Sequence, residues 1–305
     1  MKHRIVCISI WYNREDLVDV SIGSVVNQLT DDDLLILVDD NSADSTFEKL
    51  KKWEAVNVIV KTQQNKGFVH SMSDELKHLN CEFVAVHGAG DISLPKRLHK
   101  QAILLKKQPD VVAVGCKIRR QDFSNSEVKT TEHGRPGIHD YRLKICNHNP
   151  FTHGEVMFKY DKYLIAGGYR TYFTFAQDRD LWCRMSTLGK FCVLDDVLYE
   201  RKVGIKNSVS GTSKNALMQR YLSGFAVFCH QFKLNNGYDP LEKYGHHASL
   251  MYRGSSDLNN DMVDKYGEFK KANNMDMANI YKIAIENETF SILDRVRKFI
   301  KMKLA

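Results

Sequence analysis

Four short polar segments of this 305-residue chain carry most of the side chains able to do chemistry, and each follows an apolar run: "WYNRED" (11–16), "DDNSADS" (39–45), "QQNKG" (63–67) and "HGAGD" (87–91). Their residue types suit a nucleotide. Tyr12 offers a ring to a base and Arg14 a guanidinium to phosphate, although Arg14 could equally pair with Glu15 or Asp16. Asp39 and Asp40 leave a strand on opposite sides. One carboxylate can accept a hydrogen bond from a base while the other braces the loop, or both can cap the turn. In "VAVHGAGDISLP" (84–95) paired acids would be expected at a cation-binding edge, yet Gly88, Ala89 and Gly90 stand there with Asp91 as the one carboxylate. His87 and Asp91 could hold Mg²⁺ or Mn²⁺ only in a shifted geometry, since Mg²⁺ demands near-octahedral oxygen ligands. Asp91, or Ser93, could instead cap a helix beginning near Pro95.

Such segments need strands that end together. Apolar runs at Ile5–Ile10, Leu34–Val38, Val56–Val60, Phe83–Val86 and Val111–Gly115 predict strands. Between them, helices are predicted over Glu15–Gln28, Phe47–Trp53, Ser71–Leu79 and from Pro95 to Lys107. This alternation predicts an α/β fold with a mainly parallel sheet covered on both faces, and ligands in such folds bind beyond the carboxyl ends of the strands. The second half reads differently. Residues 117–149 are polar and loop-like, "GEVMFKY" is strand-like, "KYLIAGGY" is a short helix and Asp178–Leu188 a longer one. "YERKVGIKNSVS" (199–210) reads as a loop. Beyond Ser210 the chain is helical, with an apolar Ala216–Phe232 and a loop-rich stretch over 235–260. The stretch 290–304 places Ile292, Leu293, Val296, Phe299 and Ile300 on one side and Arg295, Arg297, Lys298, Lys301 and Lys303 around the rest. It fits an anionic membrane surface, or packs on the main domain with a solvated basic face.

Composition sets outer limits. Hydrophobic content of 43%, charged content of 27% and no apolar run of bilayer length describe a globular chain without a transmembrane helix. "MKHRIVCISIWYN" reads as a first strand and not a signal peptide. The seven cysteines form no CxxC pair, which predicts reduced, structural thiols and a cytoplasmic location. The net charge of +7 points to an anionic partner, and no basic stretch with interleaved aromatics argues for nucleic acid.

In order, "ISIWYNRED", "SIGSVVNQ", "LILVDDNSADST", "NKG", "GDISLPKRL" and "AGGYRTYFTFAQDRDLWCRM" resemble the family 2 glycosyltransferases over residues 4–210. These are inverting, nucleotide-sugar-dependent enzymes of the GT-A fold. The resemblance implies a catalytic domain over 1–210, with a nucleotide-sugar half (1–116) and an acceptor half (117–210), followed by a helical extension (211–305). It implies a UDP-linked donor with Asp40 on the uracil N3–H, and Asp178 of "AQDRDLW" as the general base. Tyr12, Arg14, Asp91 and Lys202 would line the donor, and His153 and Trp182 the acceptor. The acceptor would be a saccharide or lipid-linked saccharide of a capsule or lipopolysaccharide, built at the inner face of the plasma membrane. For Asp178 the alternative is helix N-capping.

Four departures stand out. The family's metal-binding acids fall on Gly88 and Gly90, leaving Asp91 as the residual metal ligand. Gln177 replaces the more common Glu, and Met72-Ser73 stands where the family often has Arg-Asn. Arg201, Lys202 and Lys206 occupy the region of a family histidine, so the leaving diphosphate is expected to meet either these side chains or, the preferred reading, a weakened divalent-cation site at Asp91. A catalytically degenerate relative that binds a nucleotide sugar or glycan is the competing reading, and a nucleotidyltransferase sharing the strand-end site is a third.

Overall fold

The computed structural model describes residues 2–122, 127–131, 134–204, 213–252, 254 and 256–287. The stretch 290–304 and Lys206 lie outside the described residues. The chain forms two compact units, Met1–Ser208 and Val209–Ala305.

In the first unit β1 (His3–Trp11), α1 (Val18–Val26), β2 (Leu34–Asp39), α2 (Thr46–Lys51), β3 (Val58–Thr62), α3 (Phe68–Leu76) and β4 (Cys81–Val86) alternate as the apolar runs predict. Next come β5 (Ile92–Ser93), α4 (Arg97–Lys107), β6 (Val111–Asp122), β7 (Glu127–Thr131), β8 (Gly137–His139), β9 (Met157–Lys159), α5 (Tyr160–Ile165), α6 (Gln177–Met185) and β10 (Lys190–Val203). These strands form one sheet in the order β3-β2-β1-β4-β9-β6-β10-β5, with β7 beside β6 and β8 beside β10. β1 to β4 pair in parallel, β9 runs antiparallel between β4 and β6, and β6 and β10 are parallel.

The middle strands are apolar on both faces because helices cover both, the usual reading of an uninterrupted hydrophobic run. Ile5, Cys7, Trp11, Leu35, Leu37, Phe83 and Ala85 pack with Val18, Ile22 and Val25 of α1 and Leu98, Ala102 and Leu105 of α4. Each large aliphatic side chain buried this way contributes roughly 1.5–3 kcal/mol. The register pairs Trp11 with Asp39 and Ile8 with Val86. The strands therefore end on one edge, with Tyr12–Arg14, Asp40 and His87–Asp91 just past it.

Three expectations are corrected. The segment 117–149 is not merely a loop, because β6 continues to Asp122 and β7 and β8 follow. "YERKV" is not a loop but the end of the 14-residue β10. Both strands persist through polar sequence because alternate residues turn inward: Cys116 and Ile118 pack with Leu198 and Tyr199. The helix expected over 15–28 is shorter, a 3₁₀ turn (Glu15–Leu17) followed by α1.

The second unit contains α7 (Ser213–Asn236), α8 (Pro240–Tyr244), a 3₁₀ segment (Gly245–Met251), α9 (Ser256–Lys271) and α10 (Met275–Asn287). The region 235–260 is thus more helical than its sequence predicts. Asp239 caps α8 by accepting from the N–H groups of Leu241 and Glu242, with Pro240 in the first turn. Met262 and Val263 of α9 close on Tyr281 and Ile285 of α10. Among the described residues no helix is long and apolar enough to cross a membrane. All seven cysteines are free thiols.

Candidate active site

The loops after β1 and β2 lock together. Asn13, at φ 51°, takes its hydrogen bond from the Ala43 N–H at 2.7 Å, and its own N–H donates to Ser42 Oγ at 2.9 Å. The Arg14 N–H donates to Thr46 Oγ1 at 2.8 Å, and the Ser45 N–H to Glu15 Oε2 at 3.2 Å. This leaves Tyr12 46% exposed on the edge. Arg14 is half-buried and makes no ion pair with Glu15 or Asp16 among the described residues. Burial pushes its guanidinium down, and the charge of Asp91 opposes that shift.

Asp40 is buried and spends its oxygens within the protein. Oδ1 accepts from Gln63 Nε2 (2.7 Å), the Lys66 N–H (3.1 Å) and Ser71 Oγ (3.3 Å), and Oδ2 accepts from the Gly67 N–H (2.9 Å). It clasps the entry to α3, where Gly67 sits at φ 81°. Asp39 accepts from the Ser42 N–H through Oδ2, while its buried Oδ1 has no partner among the described residues.

The loop after β4 is built around glycine. Its Gly88 N–H donates to the Tyr199 hydroxyl at 2.8 Å, and that hydroxyl donates to Asp91 Oδ2 at 2.8 Å. The Lys202 N–H donates to Asp91 Oδ1 at 2.9 Å. Asp91 therefore latches this loop to β10 and does not cap α4, whose N-cap is Lys96. Burial raises the Asp91 carboxyl to about 6, against the opposing Lys202 N–H, Tyr199 hydroxyl and Arg201 charge. A Cβ on Gly88 would lie 2.3 Å from Asp91 Oδ2, and one on Gly154 would lie 2.5 Å from the Tyr199 hydroxyl. Gly90, at φ +90°, would place a Cβ 2.6 Å from Leu17 Cδ1.

Two buried bases lie under this loop. Arg97 has no exposed surface; it donates to the carbonyls of Val86 and Gly154 and lies 5.1 Å from the Tyr199 ring centroid. Burial, aided by Arg97, pushes the His87 imidazole well below its ordinary value. Ser21 Oγ donates its hydrogen bond to the Asp91 carbonyl, so His87 Nε2 donates to Ser21 Oγ and Nδ1 is left without a partner among the described residues.

These residues do not fit a divalent cation held by paired acids. Positions 88 and 90 have no room for side chains, and both Asp91 oxygens are engaged. No group of three or more His, Cys, Asp or Glu that could hold a metal ion occurs among the described residues.

The acceptor half supplies Asp178, in the first turn of α6. The N-cap is Ala176, at φ 56° and without a side-chain cap bond, so Asp178 is not the capping residue. Among the described residues it accepts only a 3.3 Å hydrogen bond from Asn149 Nδ2, and the helix N-terminus favours its negative charge. Asp180 is different: buried, it pairs with Arg170 and with Arg184 at 2.6 Å. Burial would raise its pKa, but the two arginines hold it below the ordinary carboxylate value.

His153, at the strained φ of 100°, shares a 2.7 Å hydrogen bond with the Tyr169 hydroxyl. Burial lowers its pKa, with Asp178 raising and Arg201 lowering it, so the three groups share one electrostatic neighbourhood. Glu155 is buried and accepts from the N–H and hydroxyl of Thr152, a brace for the turn that carries His153. Trp182, expected to face an acceptor, is corrected to core. It has no exposed surface and packs against Phe151, Phe158 and His153, so no sugar can stack on it.

Sequence reasoning missed Tyr199, Gly154 and Arg97, and it favoured Lys202 over Arg201. Residues two apart on a strand share a face. Arg201 therefore lies on the face of Tyr199, and the Lys202 side chain is on the other face with Glu200. The alternation Tyr199-Arg201-Val203 was the available signal.

The model of the family described as "Glycosyl transferase family 2" matches residues 6–176. The amylovoran biosynthesis glycosyltransferase AmsE of Erwinia amylovora is 30% identical over 201 residues, which are 63% of this chain and 74% of that protein. Among solved structures, S. aureus TarS 1-349 in complex with UDP-GlcNAc aligns at a TM-score of 0.60 and 13% identity, covering 94% of this chain and 93% of that one. The mannosyltransferase PcManGT of Pyrobaculum calidifontis, in complex with GDP-Man and Mn²⁺, aligns at 0.56 and 19% identity, covering 94% and 86%. At these identities the two structures establish a shared GT-A fold.

Proposed function

The chain belongs to glycosyl transferase family 2, and from that premise we propose that it inverts a sugar while moving it from a UDP-linked donor to a saccharide acceptor in surface-polysaccharide assembly. The observation that carries this reading is Asp178, with one weak internal hydrogen bond and a place beside His153 and Arg201. Its carboxylate takes the proton of an acceptor hydroxyl as that oxygen attacks the anomeric carbon. The bond from that carbon to the diphosphate oxygen breaks, and its electron pair leaves with the diphosphate. One base and one displacement give inversion; a retaining hydrolase would need two carboxylates about 5 Å apart.

The UDP-GlcNAc carried by TarS supports the donor class, and the GDP-Man carried by PcManGT makes GDP the second nucleotide to test. The role of AmsE in amylovoran biosynthesis supports the polysaccharide context. Tyr12 is exposed where a base would lie, and Asp40 holds the floor of that subsite. Screening UDP- and GDP-sugars for release of free nucleoside diphosphate, with and without chelator, tests the reading; no release from any donor would overturn it. The glycines at 88 and 90 favour one competitor, a binding protein without turnover, and donor binding without release would establish it.

We extend the proposal to a lipid-linked acceptor at the inner membrane face, supported by the basic, apolar pattern of 290–304. Truncation before Ser291 should reduce sedimentation with phosphatidylserine vesicles, and salt should weaken binding of the intact chain. Equal, salt-insensitive partitioning of both forms would count against it.

A further inference from the structure

Resting on that nucleotide-sugar reading, we propose that Arg14 and Arg201 together take the charge of the donor diphosphate in place of a divalent cation. The first ground is steric. Acids at 88 and 90 are not merely absent, since the space for a side chain at 88 is filled by the Asp91 carboxylate and that at 90 by Leu17. Gly90 at φ +90° would also strain any substituted residue. Restoring the two acids would break the loop before it made a cation site.

The second ground is Asp91 itself. Each Asp91 oxygen already spends a lone pair inside the protein, Oδ1 on the Lys202 N–H at 2.9 Å and Oδ2 on the Tyr199 hydroxyl at 2.8 Å, and positions 88 and 90 offer no second carboxylate to complete a paired-acid site. The latch spans 108 and 111 residues of sequence and fixes the end of β10 against the loop after β4. It brings Arg201 to the site.

The third ground is unspent positive charge. Arg201 is half-buried on the Tyr199 face of β10 and acts electrostatically on Asp91, Glu155 and His153. Arg14 approaches Asp91 from the β1 loop. Neither guanidinium makes a hydrogen bond or ion pair with a described residue. Arg97 adds a fixed buried charge beneath Tyr199, bonded to carbonyls and not to a carboxylate. Glu155 and Asp91, the acids at this point, have their oxygens occupied by Thr152, Tyr199 and Lys202. Two planar donor forks left open beside a strand-end loop match the oxygens of a diphosphate. When the anomeric bond breaks, their N–H groups donate to the oxygen that receives the electron pair, the task a cation would otherwise perform.

Calorimetry with UDP, GDP, uridine and guanosine, in EDTA and in Mn²⁺, tests this on the full chain. One diphosphate should bind in EDTA as well as in Mn²⁺. Arg201→Ala should weaken that diphosphate about 10- to 100-fold, as expected for a lost charge-assisted bond, and leave the parent nucleoside unaffected. Lys202→Ala should leave both unchanged. Asp91→Asn keeps an acceptor for the Lys202 N–H, and its diphosphate binding should be the same in EDTA as in Mn²⁺, because no carboxylate is needed there to hold a cation. Tyr199→Phe loosens the same latch if Asp91→Asn does not fold, and its diphosphate binding should likewise stay independent of Mn²⁺. Diphosphate binding that requires Mn²⁺, or that survives Arg201→Ala intact, overturns the inference while the nucleotide-sugar reading stands. No binding of any of the four compounds overturns that reading and the inference with it.

Discussion

The acids at the strand ends and the acid at the start of α6 are the same functional group put to opposite uses. Asp40 and Asp91 have their oxygens engaged by protein donors, four on Asp40 and two on Asp91. Asp178 accepts one bond of 3.3 Å. A carboxylate whose two oxygens are both held by protein donors fixes a loop, whereas a carboxylate with a spare oxygen can act as a base. An aspartate at a strand end is therefore a latch before it is a ligand, and the chemistry falls to the acid the fold leaves unoccupied.

The largest effect should come from the unoccupied acid. Asp178→Asn should cut transfer by the ~10²–10⁴-fold typical of a lost general base. Thermal stability and diphosphate affinity should stay near the native values, because one weak hydrogen bond is at stake. Steady-state turnover beside a melting curve checks both halves, and native turnover would remove Asp178 from its role.

Asp40→Ala should show the reverse balance. It strips the acceptor from the Lys66 and Gly67 N–H groups and from Gln63 and Ser71. With part of that loop open to water, the loss is roughly 2–3 kcal/mol, toward the low end for two unmet backbone donors. Urea unfolding measures it. A variant of native stability that no longer binds any nucleoside would make Asp40 a base contact and dissolve the contrast.

The scaffold was far more legible in the sequence than this division of labour. β1, β2 and β4 announce themselves as uninterrupted apolar runs, because a strand covered on both faces has no polar side to show. β10 hid its last turns: Glu200, Arg201 and Lys202 look like a solvated loop until Tyr199 is seen to be fully buried. The latch was invisible for a related reason. Gly88, Gly154, Asp91 and Tyr199 meet only once β4 and β10 are folded into one sheet, and a glycine chosen for another residue's side chain leaves no local pattern. The missing acids at 88 and 90 show in the motif, whereas the Asp91 carboxylate and Leu17 side chain that fill their space come together only in the fold.

The smallest effect concerns pH, and it separates Asp91 of the latch from His153 by sign. The Asp91 pKa is raised by burial from 3.8 to about 6. An acid raised on folding contributes stability that is fully present below its unfolded value and is lost as pH rises through the folded one. The His153 pKa is lowered from 6.5, first by burial and then by Arg201. A base lowered on folding contributes stability above its unfolded value that is lost as pH falls. The melting temperature of the native chain minus that of Asp91→Asn should therefore decline from pH 4 to 7. The same difference against His153→Asn, chosen because Asn tolerates a positive φ, should climb as pH rises toward 7. Two differences sloping the same way would mean that Asp91 is not held in the buried latch, since a solvated carboxylate has no reason to oppose the histidine.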